Sequence, residues 1–92
     1  MAIKIQGSTV LTQDGAGYSL TNIAAGYLAL VANTTGINNT ALGYAALNAN
    51  KTGVNNIGIG FGAVQGNTSG SGNIGIGVLA LQNNATGNNN IA

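Results

Sequence analysis

The chain has no cysteine, histidine, proline or tryptophan, and only three of its 92 residues are charged: Lys4, Asp14 and Lys51. Each absence removes a class of function. Without Cys or His there is no thiolate nucleophile, no imidazole base and no zinc site of the usual kind. A single carboxylate cannot form a general acid–base pair. The chain therefore reads as a non-enzyme, with no catalytic, cofactor-binding or metal-ligating residue. A formal net charge of +1 provides no basic patch to neutralise phosphates, which argues against nucleic-acid binding. The longest mostly apolar run, residues 23–32, contains Gly26 and is too short to span a bilayer, so no membrane insertion is expected. Gln6, Gly7 and Ser8 stand where a signal peptide would carry its apolar core. Four aromatic residues, Tyr18, Tyr27, Tyr44 and Phe61, leave little bulk for a core in so small a chain. Oligomerisation is the expected source of further burial.

What the chain does have is glycine (16), asparagine (15) and a strict internal period. A similar phrase begins at Asn22, Asn39, Asn56, Asn73 and Asn90, always 17 residues apart. Four full copies occupy residues 22–38, 39–55, 56–72 and 73–89, and residues 90–92 open a fifth. Asn at position 1, Gly at 5, Ala at 8, Asn at 12 and Gly at 15 are the same in every full copy. The fifth column is Gly26, Gly43, Gly60 and Gly77; the ninth is Leu30, Leu47, Val64 and Leu81.

The columns decide helix against strand. The second copy alone has good helix propensity, but the third reads Asn56-Ile-Gly-Ile-Gly-Phe-Gly, which no helix tolerates. Positions 2 and 4 alternate with tiny residues, the period of a strand. Each copy is expected to form a strand, a bend at the position-5 Gly, a second short strand and a return loop through Asn-x-Thr-Gly. The fold class expected is all-β, a repetitive parallel β-helix or β-roll of 17-residue coils. The Ile/Leu columns are expected to line its interior, and Asn33, Asn50, Asn67 and Asn84 to form a turn and amide ladder. Position 3 holds Ala24, Ala41, Gly58 and Gly75, facing away from the Ile/Leu stripe. Uniformly tiny residues on that face suggest close approach of another backbone, so these four are the trimer-interface candidates. A homotrimer is the simplest assembly; a monomeric solenoid is the alternative.

Residues 1–21 stand outside the repeat and are read as an N-terminal cap or anchoring segment; residues 22–92 form the repeat region. Strand-like runs at residues 9–12 and 18–21 flank Gln13-Asp14-Gly15-Ala16-Gly17, a hairpin signal. Asn90-Ile91-Ala92 leaves open strand edges, and continuation of the natural chain beyond Ala92 is expected.

Other motifs have plainer explanations. Gly70-Ser-Gly72-Asn-Ile-Gly75 matches GxGxxG, but a strand pattern follows it and no acid occurs after Asp14. The sequons at Asn33, Asn38, Asn50, Asn67 and Asn84 are mostly the repeat's own turn. The column Tyr27, Tyr44, Phe61, Val78 is expected to be buried. Thr35, Thr52, Ser69 and Thr86 form one column in a turn, weak support for an ice-binding face.

The phrases Asn39-Thr-Ala-Leu-Gly-Tyr-Ala-Ala-Leu and Asn73-Ile-Gly-Ile-Gly-Val-Leu-Ala-Leu resemble two related groups of repeats. One is the left-handed parallel β-roll head of YadA-like trimeric autotransporter adhesins; the other is the similar repeat of bacteriophage tail fibres. The 17-residue period departs from the roughly 14-residue period of the adhesin head. The resemblance implies a trimeric virion fibre, with residues 1–21 docking on other virion proteins and a distal region meeting a host-surface glycan or protein. The expected location is the virion surface, extracellular. A capsid decoration trimer, a bacterial surface adhesin fragment and an ice-binding solenoid are the alternatives.

Overall fold

The computed structural model describes residues 2–5, 8–12 and 21–92. It is all-β, with no helix among the described residues. Strands β1 (Ala2–Ile5) and β2 (Ser8–Thr12) pair antiparallel, with a register shift between Ile3 and Lys4. The expected strand at residues 9–12 thus lies within β2, and its described partner is β1. The expected turn at residues 13–17 and most of the 18–21 run lie outside the described residues.

The remaining strands are one per copy: β3 (Ile23–Ala25), β4 (Thr40–Leu42), β5 (Ile57–Ile59) and β6 (Ile74–Ile76). They form one four-stranded parallel sheet in chain order. Every pairing joins equal positions of neighbouring copies: Ile23 to Thr40, Ala41 to Gly58, Ile59 to Ile76. Ile91 bridges to Ile74, so the start of the fifth copy continues the same order. In-register pairing of this kind separates layers by about 4.8 Å.

Two features locate the strand ends. The position-5 Gly carries φ of 126°, 126°, 123° and 121° in the four copies, a region that side chains avoid. A Cβ on Gly43 would lie 2.8 Å from the carbonyl oxygen of Gly60 in the next layer, so the stack also has no space for one.

After the bend the expected second strand is absent. Positions 7 and 9 are left-handed instead: Leu28, Ala45 and Leu79 at φ 63°, 59° and 58°, and Leu30, Leu47, Val64 and Leu81 at 53°, 50°, 53° and 53°. Left-handed backbone costs an L residue roughly 1–2 kcal/mol. The offset is visible in the hydrogen bonds. Ala45 N donates back to Tyr27 O (2.8 Å), while Leu47 N donates forward to Ala63 O (2.9 Å). Alternating backbone conformations keep these groups aimed along the stack, where neighbouring layers satisfy them.

The core is thin. Its largest fully buried side chains are Leu30, Leu47 and Val64, together with Asn33, Asn39, Asn50, Asn56, Asn67 and Asn73. Ala24, Ala29, Ala41, Ala46 and Ala63 fill the space between them. Burying an amide without partners would cost several kcal/mol, yet no buried side-chain nitrogen or oxygen among the described residues lacks a hydrogen bond.

Candidate functional site

The four trimer-interface candidates lie inside the stack. Ala24 and Ala41 are fully buried within the single chain, and Gly58 and Gly75 are buried with them. A Cβ on Gly58 would meet Ala63 O at 2.9 Å and Leu47 Cγ at 3.3 Å, both from the opposite wall of the same chain. Position 3 is small because that wall is close, not because another chain approaches. The strand has the two faces that its alternation predicts, with the inward and outward sides exchanged. The Ile/Leu columns at positions 2 and 4, expected inside, face outward.

That outward face is the candidate functional surface. Position 2 presents Ile23, Thr40, Ile57 and Ile74; position 4 presents Ala25, Leu42, Ile59 and Ile76. All eight are half-buried or exposed, and Ile76 reaches 59% exposure. Each three-residue strand holds two outward side chains around one inward one, so stacking draws them into two straight apolar columns. None is charged. The signal for this face was present in the sequence as the lack of Lys and Glu at positions 2 and 4, but polarity alone does not say which side of a strand is inside.

Past the glycine bend runs a third column, Tyr27, Tyr44, Phe61 and Val78. It was expected to be buried and is exposed, with Tyr27 at 72% and Phe61 at 53%. The interior beyond the bend is taken by Ala29, Leu30 and their equivalents, leaving position 6 outside. The rings contact one another: Tyr27 and Tyr44 lie 5.8 Å apart at 37°, and Tyr44 and Phe61 stack at 5.2 Å and 6°. Stacked this way, Tyr44 and Phe61 meet through one side of each ring and remain largely exposed.

The position-12 ladder is present. Asn50 Nδ2 donates to Asn33 Oδ1 (3.0 Å), Asn67 Nδ2 to Asn50 Oδ1 (2.8 Å) and Asn84 Nδ2 to Asn67 Oδ1 (3.3 Å). Each of these amides also donates to the carbonyl of the Gly three residues on, from Asn33 to Gly36 (3.0 Å) through Asn84 to Gly87 (3.1 Å). A second ladder, at position 1, runs beside it. Asn39 N donates to Asn22 Oδ1 (2.8 Å), Asn56 N to Asn39 Oδ1 (3.0 Å) and Asn73 N to Asn56 Oδ1 (2.9 Å). Three of the five sequon asparagines, Asn33, Asn50 and Asn67, are therefore buried and engaged in structure.

The return loop binds layers by another device. The backbone N–H groups of Thr34, Thr35 and Gly36 all donate to Lys51 O, at 2.9, 3.1 and 3.3 Å. Those of Thr68, Ser69 and Gly70 converge likewise on Ala85 O, at 2.9, 3.2 and 3.3 Å. The hydroxyls of Thr34 and Thr68 join the same oxygens at 2.9 and 3.2 Å.

The glycines of the GxGxxG match belong to the stack: a Cβ on Gly70 would run into Gly87 O, and the last of them, Gly75, lies within β6. No helix of the described residues is long and apolar enough to cross a membrane. Comparison of the chain with protein-family models, with curated proteins and with solved structures finds no match.

Proposed function

We propose that this chain is a structural virion protein, a trimeric phage tail-fibre stalk built as a parallel β-roll of 17-residue coils. Residues 1–21 attach it to other virion proteins, and a distal region meets the host surface. The observation that carries the reading is the outward strand face: six of its eight side chains at positions 2 and 4 are Ile or Leu, and none is charged. Soluble monomers rarely leave a contiguous apolar face of this kind uncovered. Three chains around an axis parallel to the stack would cover it in a closed assembly, each layer meeting its own counterpart in the neighbouring chains.

The work of such a protein is mechanical. Hydrogen bonds between copies run along the stack, so load along that axis is shared by backbone ladders and the two amide ladders together. Linked chains also present several weak host contacts at once, which raises overall affinity without any new contact.

Light scattering on a sizing column tests the reading directly. Three chains give a mass three times the 9.0 kDa of one, and a clean single-chain mass would overturn the trimer. Ile59→Lys, a charge placed on the outward face, is expected to return the chain to monomers while leaving its circular dichroism unchanged. Counting copies per virion then separates a fibre, present in tens, from a capsid decoration protein, present in hundreds.

A further inference from the structure

We propose that Tyr27 and Tyr44 form an oxidative cross-linking site, at which a one-electron oxidant couples the two phenols into a dityrosine joining the first and second copies. Both side chains are exposed, and they occupy one column in adjacent layers. Their ring centroids are 5.8 Å apart, with the ring planes inclined at 37°. The backbones on either side are tied together. Gly43 N donates to Ala25 O and Ala45 N to Tyr27 O, each at 2.8 Å. The two rings therefore remain neighbours for as long as the layers stay paired, and coupling needs no diffusive encounter.

The chemistry balances with one named co-reactant class. Each phenol gives up one electron and its phenolic proton to become a phenoxyl radical. The radicals form one carbon–carbon bond between ring carbons ortho to the oxygens, and the two ortho hydrogens return to oxygen as the rings regain aromaticity. Two electrons and two protons are lost in all; with a peroxidase, one hydrogen peroxide takes them up and becomes two waters. The next ring of the column, Phe61, stacks on Tyr44 at 5.2 Å but has no hydroxyl, so it cannot form a phenoxyl radical. Tyr27 is the partner left to Tyr44 in this column. The product closes a covalent loop between Tyr27 and Tyr44 and restricts the unfolded chain as other cross-links do. It would staple the end of the stack that adjoins residues 1–21, and it does not depend on the fibre reading.

The test is peroxidase and hydrogen peroxide applied to the full chain, read by dityrosine fluorescence and by mass after denaturation and trypsin digestion. Cleavage after Lys4 and Lys51 leaves Tyr18, Tyr27 and Tyr44 in one fragment, residues 5–51. That fragment is expected to lose two hydrogens, at a rate independent of protein concentration. Tyr18→Phe should keep the product, whereas Tyr27→Phe and Tyr44→Phe should each abolish it. Phe61 already occupies this column, so Phe variants are expected to keep the wild-type circular dichroism. Product surviving in either the Tyr27 or the Tyr44 variant, cross-links only between chains, or no product from the wild type would each overturn the proposal.

Discussion

Asn50→Ala is the substitution that most directly probes what holds the stack together. Asn50 is fully buried at the middle of the position-12 ladder. Its Nδ2 donates to Asn33 Oδ1 and to Gly53 O, and its Oδ1 accepts from Asn67 Nδ2 and Asn56 Nδ2. After truncation Asn67 and Asn56 still reach Gly70 O, and Gly53 O still accepts from Asn39. Asn33 Oδ1 has no other donor among the described residues. One stranded buried acceptor costs about 1–3 kcal/mol, and each further lost hydrogen bond about 1 kcal/mol. The total expected is roughly 4–6 kcal/mol, a large part of the ~5–15 kcal/mol that holds a domain folded. Asn84→Ala removes the same side chain from the last full copy, where it is half-buried and water can replace part of its three hydrogen bonds, and should cost less, ~1–2 kcal/mol. Urea unfolding followed by circular dichroism measures both. Equal costs for the two variants would refute the claim that the interior ladder, and not local turn geometry, carries the stability. Asn50→Asp sharpens the test through pH. Burial would raise the new carboxyl's folded pKa above its unfolded value. Stability is then present below the unfolded pKa, about 3.9, and lost as pH rises through the folded one. The variant should fold best in acid and fail near neutrality.

The other predictions concern the backbone, the period and pH. Gly43→Ala combines a φ of 126° with a Cβ that would sit 2.8 Å from Gly60 O. Left-handed strain alone costs ~1–2 kcal/mol, and the clash raises the expected loss above that, measurable as a fall in thermal midpoint. Deleting residues 39–55 removes one whole copy and brings Ile23 opposite Ile57 and Leu30 beside Val64, so the shortened chain should keep its β circular dichroism and unfold cooperatively at a lower midpoint. A nine-residue deletion in the same region should abolish folding, because stacked columns no longer match. The stack contains no carboxylate side chain and no imidazole, the groups that usually couple folding to pH in acid and near neutrality. Its unfolding free energy is expected to be flat from about pH 3 to pH 8; a slope of more than ~1 kcal/mol across that range would place an essential contribution in the Asp14 segment or at the chain termini.

Much of this architecture was legible in the residues. The 17-residue spacing dictated in-register stacking, because only equal positions can form continuous columns. Alternation at positions 2 to 4 located β3 to β6, and identical Asn columns foretold amide ladders, since an amide carries both donor and acceptor and can bond to a copy of itself. The glycines at position 5 marked the bends. The conformation of positions 6 to 9 was not legible. Leu and Ala there have no preference for left-handed backbone, and they adopt it only because the neighbouring layers' carbonyls and N–H groups lie along the stack.

The side of the strand that faces inward was also beyond the sequence. Parity separates two faces and is silent on which is enclosed. In a stack this thin, the wall opposite position 3 stands so near that an added Cβ on Gly75 would lie 2.7 Å from Val64 Cγ2. At position 3 the interior therefore takes Ala and Gly and the strand's Ile is left outside, inverting within the strand the ordinary rule that larger apolar residues mark the core, while Leu30, Leu47 and Val64 fill the interior beyond the bend. The repeat, its period and its hydrogen-bonding columns were determined by the sequence alone. The distance between the walls, which only the closed tertiary structure sets, decided which column became core and which became surface.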